Sequence, residues 1–226
     1  MNIPVDHTAG EPKYPIGWPR AGTTLKEGEG DWTGWDSFEF WVYAESSRER
    51  LPSKPLGLTF GRRPLTCAFE LATLALGSWT NIRVPLALLK EKDLPLSAME
   101  GFQFYISEST YQHKDQVSFH LAGLRLVRRT ELALEELRLL TPVLYANRPV
   151  LRLALIVSGP AGTLGYELLQ GGKRLHAALI QVAPGVQLVE RDLSALKAPP
   201  GEYEIALAPG DPAQKKTARF RIVEAP

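Results

Sequence analysis

Apolar and polar residues alternate along much of this chain with a period of two. In Phe38-Glu39-Phe40-Trp41-Val42-Tyr43, residues Phe38, Phe40 and Val42 share one side, and Glu39, Trp41 and Tyr43 the other. Successive side chains of a strand point to opposite faces of a sheet, so this stretch predicts a strand with two different faces. The first face reads as core. The second sets two large aromatics beside a carboxylate, which suits either a flat ligand or a covering loop. Phe102 to Ser107 repeats the design, with Phe102, Phe104 and Ile106 opposite Gln103, Tyr105 and Ser107. If the two strands are neighbours in one sheet, Trp41, Tyr43, Gln103 and Tyr105 form one aromatic and polar surface, the leading candidate site. The alternative is that loops cover this face and simply bury its aromatics.

The same reading extends along the chain. The first 30 residues are rich in Pro and Gly, and the two prolines within Tyr14–Arg20 exclude a helix there. Thr23 to Leu25 predicts a short strand. Leu56, Leu58 and Phe60 predict another, ended by Gly61-Arg62-Arg63-Pro64, whose arginines either grip an anion or stand in solvent. Ile82 and Val84 mark a strand that begins at Trp79, a residue assigned to the core or its rim, and Leu86 to Lys92 is the one helical turn of this half. Val117, Phe119 and Leu121 alternate again, and Leu124 to Val127 closes the half. All five tryptophans lie before residue 130, which places a domain boundary there and gives domains of residues 1–130 and 131–226. Residues 131 to 142 have helical propensity but read as a linker entering a strand. Leu151, Leu153, Leu155 and Val157 alternate. Tyr166 to Leu169 and Leu175 to Val182 predict a hairpin about Gly171-Gly172, since paired glycines accept the positive φ of tight turns. A last pair of strands lies in Pro199–Leu207 and Thr217–Val223. Short strands joined by Gly and Pro turns predict an all-β chain of two different β-sandwiches.

Composition narrows the chemistry. The 226 residues carry a formal net charge of +1, which supplies no electrostatic drive toward nucleic acid or an anionic membrane. The longest apolar runs fall short of the roughly 20 residues a membrane helix requires. The single cysteine, Cys67, excludes an internal disulfide and a cysteine-rich metal site, and its strand-like neighbours predict a buried, inert thiol. The N-terminus lacks the pattern of a signal peptide, so the chain is expected to be either cytoplasmic or a piece of a longer exported protein. His7, His113, His120 and His176 have no metal-ligand spacing. There is no nucleophile elbow, phosphate loop or dinucleotide fingerprint. Glu39, Glu70 and Glu108 are candidates for the paired carboxylates of a glycosidase, but short sandwiches offer few closed pockets, and the expectation is a protein that is not an enzyme. Sugar binding asks for less. The flat C–H patch of a pyranose stacks on Trp or Tyr, and its hydroxyls need polar groups at the edge. Trp41, Tyr43, Gln103 and Tyr105 have that mixture; the loop aromatics Trp18, Trp32 and Tyr111, with His113, extend it, and His120 belongs either to this face or to solvent.

Four stretches, Asp31–Ala44, Trp79–Leu86, Gly101–Ser109 and Val117–Arg128, follow the order seen in galactose-binding-like jelly rolls. Residues 14 to 128 thereby resemble the many carbohydrate-binding modules of that fold attached to glycoside hydrolases, and the second half resembles an immunoglobulin-like or fibronectin-like spacer. The resemblance implies an N-terminal jelly roll and a C-terminal immunoglobulin-like sandwich. It implies a non-catalytic pair of modules from a larger secreted polysaccharide-degrading protein, extracellular as part of that longer chain. The expected partners are a polysaccharide or oligosaccharide and a tethered catalytic domain, with no nucleic acid and no membrane, and the chain is expected to be a monomer. In such modules acidic residues near the penultimate strand hold a structural calcium. Here Ala122 and Gly123 stand at those positions, so no cofactor is expected. One alternative is a spacer that braces a catalytic domain without binding sugar; another is a glycoside hydrolase or polysaccharide lyase. Open side chains at Trp41 and Tyr105 would mark a platform, and buried ones a brace.

Overall fold

The computed structural model describes residues 1–10, 17–62, 64–210 and 212–225 and is built almost wholly of strands. The chain divides into two compact units, Met1–Val127 and Arg128–Pro226. The first unit contains β1 (Asn2–Pro4), β2 (Arg20–Thr24), β3 (Ser37–Ser46), β4 (Gly57–Arg62), β5 (Leu65–Glu70), β6 (Trp79–Pro85), β7 (Gly101–Tyr105) and β8 (Gln116–Val127). They form two four-stranded antiparallel sheets in the orders β1-β8-β3-β6 and β2-β7-β4-β5. This two-sheet arrangement of eight strands is a jelly roll. The sheets meet through aromatic rings, with Phe38 4.9 Å from Phe102 and Phe40 5.2 Å from Phe104 between centroids. Helix α1 (Leu86–Glu91) follows β6 and buries Leu86 and Leu89. The predicted reading of Tyr14–Arg20 lies partly outside the described residues, as does Arg63 of the arginine pair.

One expectation is overturned by this topology. Strands β3 and β7 belong to different sheets, so Trp41 and Tyr43 do not share a surface with Gln103 and Tyr105. Phe38 and Phe40 from one sheet meet Phe102 and Phe104 from the other, which turns the alternate residues of the two strands toward opposite outer faces. Both strands show the same alternation because each sheet has one dry side and one wet side.

The second unit contains β9 (Ala133–Leu139), β10 (Val143–Tyr145), β11 (Val150–Ser158), β12 (Gly162–Gln170), β13 (Lys173–Val182), β14 (Gly185–Asp192), β15 (Gly201–Ala208) and β16 (Lys216–Val223). Its sheets have the orders β14-β11-β9 and β10-β16-β15-β12-β13. Leu151, Leu153 and Leu155 of the first share a core with Leu164, Leu168, Ile205 and Phe220 of the second. The Tyr203 hydroxyl donates to the Pro199 carbonyl at 2.6 Å, a tyrosine corner of the kind that marks immunoglobulin-like sandwiches. Gly171 and Gly172, at φ 55° and 79°, make the tight turn between β12 and β13. Residues 133–139 form a strand and not a helix because pairing with β11 outweighs local propensity.

Candidate functional site

A groove of about 760 Å³ covers the outer face of sheet β2-β7-β4-β5. Strand register sets three rows across it. Arg20, Tyr105, Gly57 and Glu70 form the first; Gly22, Gln103, Thr59 and Ala68 the second; the pairs Thr24 with Gly101 and Gly61 with Thr66 the third. The small residues of the second and third rows make a low floor. Tyr105 rises at one end, with its ring laid across Gly57, where an added Cβ would stand 2.2 Å from Cζ. The Tyr105 hydroxyl donates to Glu70 Oε1 at 3.3 Å. Burial first, and then the Glu70 charge, pushes this phenol above its ordinary pKa, so it stays a neutral donor. Trp18, 58% exposed, meets Tyr105 edge-on at 6.0 Å. The Arg20 guanidinium lies 5.1 Å from the Trp18 ring centroid, a cation–π contact. At the other end Arg62 donates to Thr24 Oγ1 at 2.7 Å.

Trp18 is positioned from outside the groove. Glu108 is 6% exposed and accepts a hydrogen bond from the Gly17 N–H at 3.1 Å. A Cβ on Gly17 would stand 2.7 Å from Glu108 Oε2, so a larger residue there would have to push this carboxylate aside.

The outer face of the other sheet has its own aromatic surface. Its rows are Arg83, Glu39 and Arg125, then Asn81, Trp41 and Ala122, then Trp79, Tyr43 and His120. Trp41 and Trp79 are 43% and 50% exposed. Tyr43 lies 5.5 Å from Trp79 and 6.0 Å from His120, and His120 Nε2 is 3.0 Å from the Glu45 carboxylate. Trp79 therefore faces solvent and not the core, as its parity with Asn81 and Arg83 requires once Ile82 and Val84 point inward. Glu39 lies buried on this face, 2.7 Å from Arg83 Nε and 3.5 Å from Arg125 Nη2. Gly123 adopts a φ of 63°, and a Cβ there would touch the Trp41 ring at 3.6 Å.

The eight residues proposed for sugar contact thus separate. Trp18, Gln103 and Tyr105 come together in the groove, while Trp41 and Tyr43 lie on the opposite outer face. Trp32 and Tyr111 are corrected to core residues. Trp32 is 2% exposed, stacks 5.7 Å from Phe38 and donates its indole N–H to the Glu29 carbonyl at 3.0 Å. Tyr111 is 4% exposed and donates to the Pro55 carbonyl at 2.6 Å. Each fills space inside the sandwich while a carbonyl satisfies its polar tip. His113 lies outside the groove lining, where its Nδ1 accepts the His7 N–H at 3.1 Å and stands 3.5 Å from Asp6. Glu39 and Glu70 sit on opposite outer faces, so these two cannot share a cleft. Arg20 and Gly57 had no distinguishing sequence signal, except that Arg20 follows Trp18 by two positions and so returns to the same side of an extended chain.

Elsewhere, the Cys67 thiol is buried, and burial pushes its pKa up. In the second unit a groove of about 690 Å³ lies over β13, β12 and β15, lined chiefly by Gly165, Ala177, Leu179, Ala206 and Ala208. Its one described aromatic, Tyr166, is buried. Among the described residues no cluster of three or more His, Cys, Asp or Glu is placed to hold a metal ion, and no helix is long and apolar enough to cross a membrane.

No protein-family model matches the chain, and no curated protein sequence matches it. Among solved structures it is similar to a β-1,2-glucanase from Parabacteroides distasonis, at 9% identity and a TM-score of 0.37, covering 92% of this chain and 31% of that one. It is also similar to β-glucuronidase 3 of Bacteroides uniformis, at 10% identity and a TM-score of 0.37, covering 96% and 28%. The β-glucuronidase of Parabacteroides merdae gives 12% identity and a TM-score of 0.39, again covering 96% and 28%. The chain spans about three tenths of the length of these proteins.

Proposed function

We propose that the first unit binds glycan in the groove over β2-β7-β4-β5, and that the two sandwiches form a non-catalytic accessory of a larger extracellular polysaccharide-degrading protein. The observation that carries this reading is the Tyr105 ring laid over Gly57 with Trp18 beside it, open above a floor of Gly, Thr, Ala and Gln103. Aromatic rings receive the C–H face of a sugar. Gln103, Thr59 and Thr66 offer donors and acceptors for its hydroxyls. One aromatic contact contributes about 1 kcal/mol, so retention on a polymer depends on repeated sites or on the tethered enzyme.

A glycan array followed by titration calorimetry tests the reading, with Trp18→Ala and Trp41→Ala variants checked for folding by circular dichroism. Binding that Trp18→Ala removes and Trp41→Ala leaves intact supports the groove. Loss in Trp41→Ala alone transfers the site to the other sheet. Absence of binding to plant, algal and bacterial polysaccharides would leave the second reading, a structural brace. That reading calls for a covered Trp41, and the 43% exposure of this ring counts against it.

A further inference from the structure

Among the described residues that line the groove, the charged side chains are Arg20 and Arg62; Glu70 stands at its edge, where it accepts the Tyr105 hydroxyl. The chain as a whole balances 26 Lys and Arg against 25 Asp and Glu, so this is a local separation and not the mark of a basic protein. Arg20 is held over the Trp18 ring, and among the described residues no carboxylate engages it. A cation–π contact orients the guanidinium while leaving its N–H fork available to an anion. Arg62 bonds Thr24 and stands 3.5 Å from Glu100, a pair more than half exposed on both sides. Water screens such a pair, and the guanidinium still faces the groove.

The spacing of the two arginines is also informative. Arg20 lies opposite Tyr105, and Thr24, the partner of Arg62, lies opposite Gly101. Four residues of strand separate those positions, about 13 Å at the usual rise. The cations therefore address the two ends of the groove, Arg20 beside the stacking ring of Tyr105, with the Gln103 amide between them.

Resting on the reading of the groove as the glycan site, we infer that its ligand is an acidic glycan. The sugar rings stack on Tyr105 and Trp18, and anionic groups on the rings, uronate carboxylates or sulfate esters, pair with Arg20 and Arg62. The planar fork of arginine matches both anions through two parallel hydrogen bonds, which a neutral hydroxyl does not reproduce.

The test is calorimetry on the full chain with polygalacturonate, with its carboxyl-reduced neutral form and with a sulfated galactan, at low and high salt. The variants are Arg20→Gln, Arg20→Lys, Arg62→Gln and Trp18→Ala. The expected result is tight binding of at least one anionic polymer and about tenfold weaker binding of the neutral one, the scale of one charge-assisted hydrogen bond. Arg20→Gln should remove most of that preference, Arg20→Lys should restore little of it, and Trp18→Ala should weaken anionic and neutral polymers alike. Whether polygalacturonate or the galactan binds distinguishes carboxylate from sulfate. Equal affinity for neutral and anionic polymers overturns the inference and leaves the glycan-binding reading standing. Anionic binding that survives Trp18→Ala is mere charge attraction and also overturns it. Binding to none of the polymers overturns both.

Discussion

Replacing Gly57 with alanine should unseat the aromatic wall of the groove without touching a groove side chain. Gly57 pairs with Tyr105 across β4 and β7. A Cβ there lies 2.2 Å from Cζ, 2.5 Å from Cε1 and 2.6 Å from Cε2 of that ring. No non-bonded carbon atoms approach so closely, so the ring must swing away from the sheet and release the Glu70 carboxylate. Overpacking of this kind costs about 1–3 kcal/mol, and the lower end applies because Tyr105 borders solvent. Alanine at a site that accepts it also lowers the entropy of the unfolded chain, worth about 0.4–1 kcal/mol in the other direction. The net expectation is a loss of at most about 0.6 kcal/mol in stability. Binding should weaken about fivefold as one stacking contact is lost. Urea denaturation and calorimetry read the two effects, and the comparison that decides is made in a Tyr105→Ala background. With the ring gone, the added methyl meets nothing, so Gly57→Ala should be neutral or stabilising there, giving a coupling of about 1 kcal/mol between the sites. Equal cost in both backgrounds, or unchanged glycan affinity in the single variant, would refute the reasoning.

Three further outcomes are expected. Tyr203→Phe removes the donor to the Pro199 carbonyl and should lower stability by about 1 kcal/mol, seen as a lower urea midpoint with an unchanged m-value. Glu39→Gln leaves Arg83 and Arg125 without their anion on the far sheet and should cost about 1–3 kcal/mol in thermal melts, while affinity for glycan in the groove stays as in the wild type. The phenols of Tyr105, Tyr111, Tyr166 and Tyr203 are pushed above their ordinary value chiefly by burial. The folded chain therefore keeps protons that the unfolded chain releases near pH 10, a value of about 10 being usual for tyrosine. Their contribution to stability is whole below that pH and declines as pH rises through and above it. An absorbance titration in which every tyrosine ionises together near pH 10 in the folded state would refute this.

The strands were readable where one face is dry and the other wet. Phe38–Tyr43, Phe102–Tyr105 and Leu151–Val157 alternate because neighbouring residues meet different surroundings, and the Gly171-Gly172 turn announces itself as two adjacent glycines, which accept the positive φ it adopts. Strand β14 escaped notice since none of its residues is fully buried and the apolar Leu188 stands 77% exposed. Strands β1 and β10 are three residues each, too short to show any period.

The site followed the same division. Parity along a strand is a local property, so Trp41 and Tyr43, like Gln103 and Tyr105, could be placed on the outward side of their strands from the residues alone. Membership of a sheet is not local. The jelly-roll order sends β3 and β7 to different sheets, and no neighbouring residue records that choice. The same holds for Trp32 and Tyr111, whose loops carry them into the core, and for Gly57, whose lack of a side chain has meaning only because Tyr105 crosses it from another strand. The sequence told which way each side chain would turn; the packing of the two sheets told which side chains would meet, because those contacts join residues far apart along the chain.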